Sequence, residues 1–173
     1  MKMRLLTLAL VLLLAACDAG AGARSGDPVT GDATSAAPGA TPAYTDVSRG
    51  DTDSIVKLLS FAPGKHRAVI VKPVIYLPNP QFCATYRIPR DDKRCSYAWG
   101  AAESGAKITL PRADDAVLML VKDDPAKCVD DSGAGTCQVS GGAFDDWLGN
   151  GEELIRLQTR NGVAVRLAEL HLP

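Results

Sequence analysis

From residue 52 onward, short apolar runs alternate with clusters of Gly, Pro, Asn and Asp. Runs of that length and spacing predict strands joined by turns. SIVKLLSF (54–61) and HRAVIVKPVIYL (66–77) are rich in β-branched residues and flank Pro63-Gly64. Pro presets φ and Gly accepts a positive φ, which fits a type II turn and a hairpin. Ile55, Leu58 and Leu59 also match helical spacing, so a helix over 53–61 is the competing reading. Pro73 brings no N–H, which predicts an edge, a bulge or a break in the second strand.

Leu77-Pro78-Asn79-Pro80 reads as a turn, QFCATYRI (81–88) as a strand, PRDDKR (89–94) as a loop and CSYAWG (95–100) as another strand. AKITL (106–110) and AVLMLVK (116–122) read as strands. The second is apolar on both faces, as a central strand would be. Residues 123–142 are loop-heavy, and AFDDWLGNG (143–151) reads as a turn or short helix. In ELIRLQTRNGVAVRL (153–167), Asn161-Gly162 signals a hairpin. A two-residue loop would set Leu157 against Arg166 and mix the faces. A three-residue loop, Arg160 to Gly162, sets Leu157 against Val165 and Ile155 against Leu167, with Gly162 in a G1 bulge. The competitor is a helix capped near Asn150 and Glu153 and stopped at Gly162. The elements add up to a mainly β fold: one domain over 51–173, a small antiparallel sandwich or barrel-like sheet.

The N-terminus follows other rules. Lys2 and Arg4 precede the uncharged apolar stretch Leu5 to Ala16, which ends on small residues and Cys17. This is the layout of a secretory signal, and the stretch is shorter than the roughly 20 residues a membrane span needs. Leu14-Ala15-Ala16-Cys17 resembles the bacterial lipobox. The resemblance implies cleavage after Ala16, a diacylglyceryl thioether on Cys17 and a further acyl chain, such as palmitate, on its new amine. Two or more chains hold a protein firmly on a membrane. Residues 17–50 are dominated by Ala, Gly, Ser, Thr and Pro. They predict a disordered tether spanning roughly 30 Å.

An exported chain meets an oxidising space, so the four remaining cysteines read as two disulfides, with three pairings open. Cys83–Cys95 and Cys128–Cys137 are favoured because each pair brackets a short polar stretch. Both spacings are too wide for a zinc knuckle, and no C-x-x-C occurs.

The formal net charge is −1, and loss of Lys2 and Arg4 with the signal takes it to −3. Neither value nor any Lys/Arg cluster suits a nucleic-acid partner. His66 and His171 are too few for a histidine metal site, and no serine sits in G-x-S-x-G. Asp-Asp pairs recur at 91–92, 114–115, 123–124, 130–131 and 145–146. Aspartate favours turns, and that outweighs calcium loops at 123–131 or 145–153. No metal and no cofactor are expected. Tyr97 and Trp99 share a strand face, near Tyr76, Phe82 and Tyr86 in sequence. Core packing is the commoner fate of such aromatics, and a recognition surface is the alternative.

The expectation is a non-enzymatic, lipid-anchored periplasmic binding protein with a protein partner. Recognition would fall on Tyr97, Trp99, Asp91, Asp92, Asp130 and Asp131, with the loops 89–94 and 123–135 as presenting elements. In layout the chain resembles periplasmic lysozyme inhibitors and lipoprotein immunity proteins, which implies inhibition of a hydrolase or toxin. The alternative is an envelope assembly or maintenance lipoprotein.

Overall fold

The structure is a computed structural model, and it describes residues 42–64, 67–122, 125–149 and 151–172. Cys17 and the lipobox, His66, and Asp123-Asp124 lie outside the described residues.

Seven strands follow in chain order: β1 (Thr52–Phe61), β2 (Ala68–Pro78), β3 (Trp99–Glu103), β4 (Ile108–Leu120), β5 (Cys137–Gln138), β6 (Glu153–Arg160) and β7 (Val163–Glu169). Three short helices lie between them: α1 (Gln81–Thr85), α2 (Pro125–Cys128) and α3 (Gly141–Leu148). Strand order is β3-β2-β1-β6-β7-β4-β5, and β2 also pairs with β4. That last pairing closes β2, β1, β6, β7 and β4 into a ring. Every pair is antiparallel except β4–β7. Taking β3 and β4 together as the third ring strand, the order is a five-stranded Greek-key barrel of the OB type, with α3 between the third and fourth strands. The mainly β, barrel-like, doubly stapled fold read from the sequence is the fold observed; one pair runs parallel.

Alternation explains which residues point inward. On β1, Val56 and Leu58 face the core and Lys57 faces out. A bulge between Leu58 and Ser60 then reverses the phase, so Phe61 faces inward and Ser60 faces water. Pro73 behaves as its chemistry requires. Its carbonyl accepts from Ser104 N–H at 2.9 Å, so its missing N–H would have pointed the same way. On that side β3 and β4 are interrupted by residues 104–107, and no ladder donor is called for.

AKITL and AVLMLVK are parts of one strand. β4 pairs with β2 through Ile108–Pro111 and with β7 at Arg112 and through Val117–Met119, with a register shift between Arg112 and Val117. The polar stretch between the two apolar runs is the barrel corner.

The C-terminal hairpin corrects the expected register. Arg160 faces Val163, so the loop is the two residues Asn161 and Gly162, both with positive φ (51° and 74°). That is a type I′ turn, the form Asn-Gly favours. The face-mixing that argued against it is cured further down. An extra residue near Val165 shifts the pairing, and Leu157 meets Leu167.

The core gathers Val56, Leu58, Val69, Val71, Leu110, Ile155, Leu157 and Leu167 from the ring. α3 plugs one end. Ser140 caps it by accepting from Ala143 N–H at 3.2 Å, and Gly149 ends it at φ 54°. Phe144 enters fully buried, 5.0 Å from the Phe61 ring and 5.1 Å from Trp147. Beside them Arg112 is buried too, its guanidinium 4.8 Å over Phe61 and donating to the Ala62 carbonyl at 3.1 Å. Burial, then the charge of Arg67, lowers its pKa.

The fold also begins earlier than the tether boundary read from the sequence. Val47 is fully buried in the core, and the Tyr44 hydroxyl donates to the Glu103 carbonyl at 3.0 Å. Residues 42–50 therefore belong to the domain; a single apolar residue in a Gly/Ser context gave too weak a signal to place it there.

Candidate functional site

β2 and β3 are neighbours in the sheet, yet the chain makes a long excursion between them, from Asn79 to Ala98. Asn79 closes the base of this insertion. Its N–H donates to Ala98 O at 2.9 Å, and its side-chain amide donates to Arg94 O at 3.0 Å and Tyr97 O at 2.8 Å. The Asn79–Pro80 peptide is cis.

α1 opens the insertion where the sequence predicts a strand over 81–88. QFCATYRI alternates well enough for a strand, but tertiary contacts decide. Phe82 lies flat on the backbone of Gly100, close enough that a Cβ there would stand 2.2 Å from the ring. Phe82 also packs 4.8 Å from Tyr86, and both Phe82 and Cys83 are buried. The helix ends in a Schellman arrangement: Ile88 N–H reaches Cys83 O at 2.9 Å and Arg87 N–H reaches Ala84 O at 3.3 Å. Arg87 takes the left-handed position, φ 53°, where glycine is the favoured residue. An L side chain there costs on the order of 1 kcal/mol.

Cys83 pairs with Cys95 and Cys128 with Cys137, the two pairings favoured from the sequence. The first ties α1 to a 3₁₀ turn at Lys93–Ser96. Asp92 caps that turn. Its carboxylate accepts from Arg94 Nε (2.9 Å), Arg94 Nη2 (2.7 Å) and Arg94 N–H (2.9 Å). The Arg94 side chain and then its N–H pull the Asp92 pKa down to about 2. Residues 95–98 are this turn and its exit, and the strand predicted over 95–100 starts only at Trp99.

Two depressions flank the insertion. One is lined by Tyr76, Tyr97, Ala98, Trp99, Leu154 and Leu172 and encloses about 290 Å³. Tyr76 and Trp99 stack there, centroids 5.1 Å apart and planes 11° off parallel. Tyr97 is 68% exposed and Trp99 44%, so these two do not take the core packing that the sequence favoured for them. Burial raises the pKa of the Tyr76 hydroxyl. The other depression, about 950 Å³, lies on α1 and the loop after it, with the Cys83–Cys95 bridge and Ala84, Ile88, Pro89, Arg87 and Arg90 among its walls.

The sequence-predicted site is therefore partly assembled. Tyr97 and Trp99 come together and stay in water. Asp92 is committed to its own loop. Asp130 is committed likewise, accepting from Ser132 N–H (2.9 Å), Ser132 Oγ (2.6 Å) and Ala134 N–H (2.9 Å). Asp91 and Asp131 are exposed, and none of the four aspartates lines either depression. Leu154 and Leu172 were missed because nothing local marks them; only barrel closure brings β6 and the C-terminal residues beside Trp99. Arg87 was hidden by the strand reading of 81–88, and Arg90 lay within the loop 89–94 but was not singled out.

Among the described residues, no group of three or more His, Cys, Asp and Glu is placed to hold a metal, and no helix is long and apolar enough to cross a membrane. No family model, no curated protein and no solved structure matches the chain.

Proposed function

We propose that this protein is a lipid-anchored binding module of the cell envelope that holds a protein partner through the stapled β2–β3 insertion. One observation carries the binding role: Tyr97 and Trp99 stand in water beside Tyr76, Leu154 and Leu172, on a support fixed by a disulfide and by Asn79. Large aromatics on a rigid base give up little conformational freedom on binding and dominate interface energetics. The stack also stands on the second and third ring strands, the face that OB-type barrels use for ligands; this is support by fold analogy only. The anchor rests on the lipobox-like Leu14-Ala15-Ala16-Cys17.

The test is paired affinity capture. The full chain, purified in detergent with its disulfides formed, is exposed to envelope and culture-supernatant extracts, alongside the Tyr97→Ala/Trp99→Ala variant. A stoichiometric partner held by the native chain and lost by the variant supports the reading. A secreted hydrolase among the captured proteins assigns inhibition, and a resident envelope protein assigns assembly or maintenance. Equal capture by both chains overturns the aromatic surface. For the anchor, Cys17→Ser moves the protein from the membrane to the soluble fraction and abolishes palmitate labelling; unchanged labelling refutes it.

A further inference from the structure

We infer that the groove along α1 and residues 87–90 receives a short acidic segment of the partner protein, Asp or Glu flanked by apolar side chains. This rests on the reading of the insertion as the recognition element and gives it a second, chemically different contact. Much of the groove's lining is apolar: Pro80, Ala84, Ile88, Pro89 and the Cys83–Cys95 bridge, with Gln81 beside them. Arg87 and Arg90 also line it, both exposed, and among the described residues neither is in an ion pair or a side-chain hydrogen bond. Nearby charges do not neutralise them. Asp92 is held by Arg94, Lys93 adds a further positive charge, and Asp91 makes no ion pair among the described residues. The chain as a whole is close to charge balance, with a formal charge of −1, whereas the groove has two guanidinium groups and no acid among its lining residues.

Guanidinium presents a planar fork of donors that matches a carboxylate, and such charge-assisted pairs are about twice as strong as neutral hydrogen bonds. At about 950 Å³ the groove holds more than one side chain, so a segment fits it better than a lone carboxylate. Arg87 adds a sign of its own. It stands where the local backbone favours glycine, so its side chain persists against a local conformational preference.

The test uses a random peptide library displayed on phage, selected against the full chain. The expected outcome is enrichment of peptides in which Asp or Glu is flanked by apolar residues. A selected peptide should lose about tenfold in affinity in Arg87→Gly and in Arg90→Ser, one charge-assisted contact each, and should weaken as salt is raised. Arg87→Gly preserves the turn, so its loss of binding cannot be put down to misfolding. Trp99→Ala should leave this peptide bound, which separates the groove from the aromatic surface. Selected peptides without acidic enrichment, or peptides that bind both arginine variants as tightly as the native chain, overturn the inference and leave the aromatic reading standing. Saturable binding of dodecanoate in place of any acidic peptide assigns the groove to an acyl anion and overturns it as well.

Discussion

The barrel keeps Val56, Leu58, Val69, Val71, Ile155, Leu157 and Leu167 wholly out of water, while the insertion between Asn79 and Ala98 buries only Phe82 and Cys83. The two regions meet at β2 and β3 but owe their order to different physics. Barrel strands are fixed by apolar burial spread over the whole ring. The insertion has too little apolar surface for that, and its order comes from one disulfide, one asparagine, a capped 3₁₀ turn and a ring lying on a glycine. Because so few of its side chains are needed inside, most can face outward. Tyr97, Arg87 and Arg90 all do, with Trp99 just beyond the insertion at the start of β3.

If this contrast is right, damage to one region should leave the other largely intact. The largest effect falls on the barrel. Phe144→Ala empties the plug between Phe61 and Trp147 and should cost about 3–5 kcal/mol in urea unfolding. A smaller loss would mean that α3 seals the barrel less than its burial implies. Next, Cys83→Ser/Cys95→Ser should remove roughly 2–4 kcal/mol of local order. Limited proteolysis should then cut within 81–96 while the urea midpoint of the barrel barely moves. A matching fall of the whole domain would show that insertion and barrel unfold as one unit. Gly100→Ala forces Phe82 off its seat and should cost about 1–3 kcal/mol, mostly in the insertion. Amide exchange should speed up in α1 and stay slow in β6 and β7.

The smallest effect is a pH dependence. Asp92 has its carboxyl lowered from 3.8 to about 2 by Arg94. A group lowered on folding contributes order that is complete above its ordinary value and is lost as the pH falls through the folded one. Amide signals of the 3₁₀ turn should therefore shift on acidification between 3.8 and about 2, and Asp92→Asn should flatten that titration. Signals that hold steady in the native chain would show that the turn does not depend on this cap.

Much of the barrel was legible in the sequence. β-branched runs marked β1 and β2, both disulfides followed from short polar brackets, and Asn161-Gly162 marked the last hairpin. What could not be read was decided by contacts distant in sequence. The parallel β4–β7 pairing leaves no local trace, and the polar corner at Arg112 to Asp115 looks like a loop until β7 lies beside it. QFCATYRI has an alternation compatible with a strand; Gly100 and Cys95 settle it as a helix. The site was half visible for the same reason. Tyr97 and Trp99 were named as residues, but their exposure depends on how Asn79 folds the insertion back. The arginine rim depends on α1 existing at all.

The N-terminal lead-in ends with a mechanical consequence. Val47 is sunk in the core, and the tip of the β6–β7 hairpin sits over the next residues, with Gly162 N–H on Gly50 O at 2.8 Å and Asn161 N–H on the Asp51 carboxylate at 2.8 Å. A Cβ at Gly162 would stand 2.3 Å from Ser48 O, so the tip is a clasp with no slack. Tension arriving along the chain from its N-terminal side must draw the lead-in from under that clasp before it reaches the first hydrogen bond of β1.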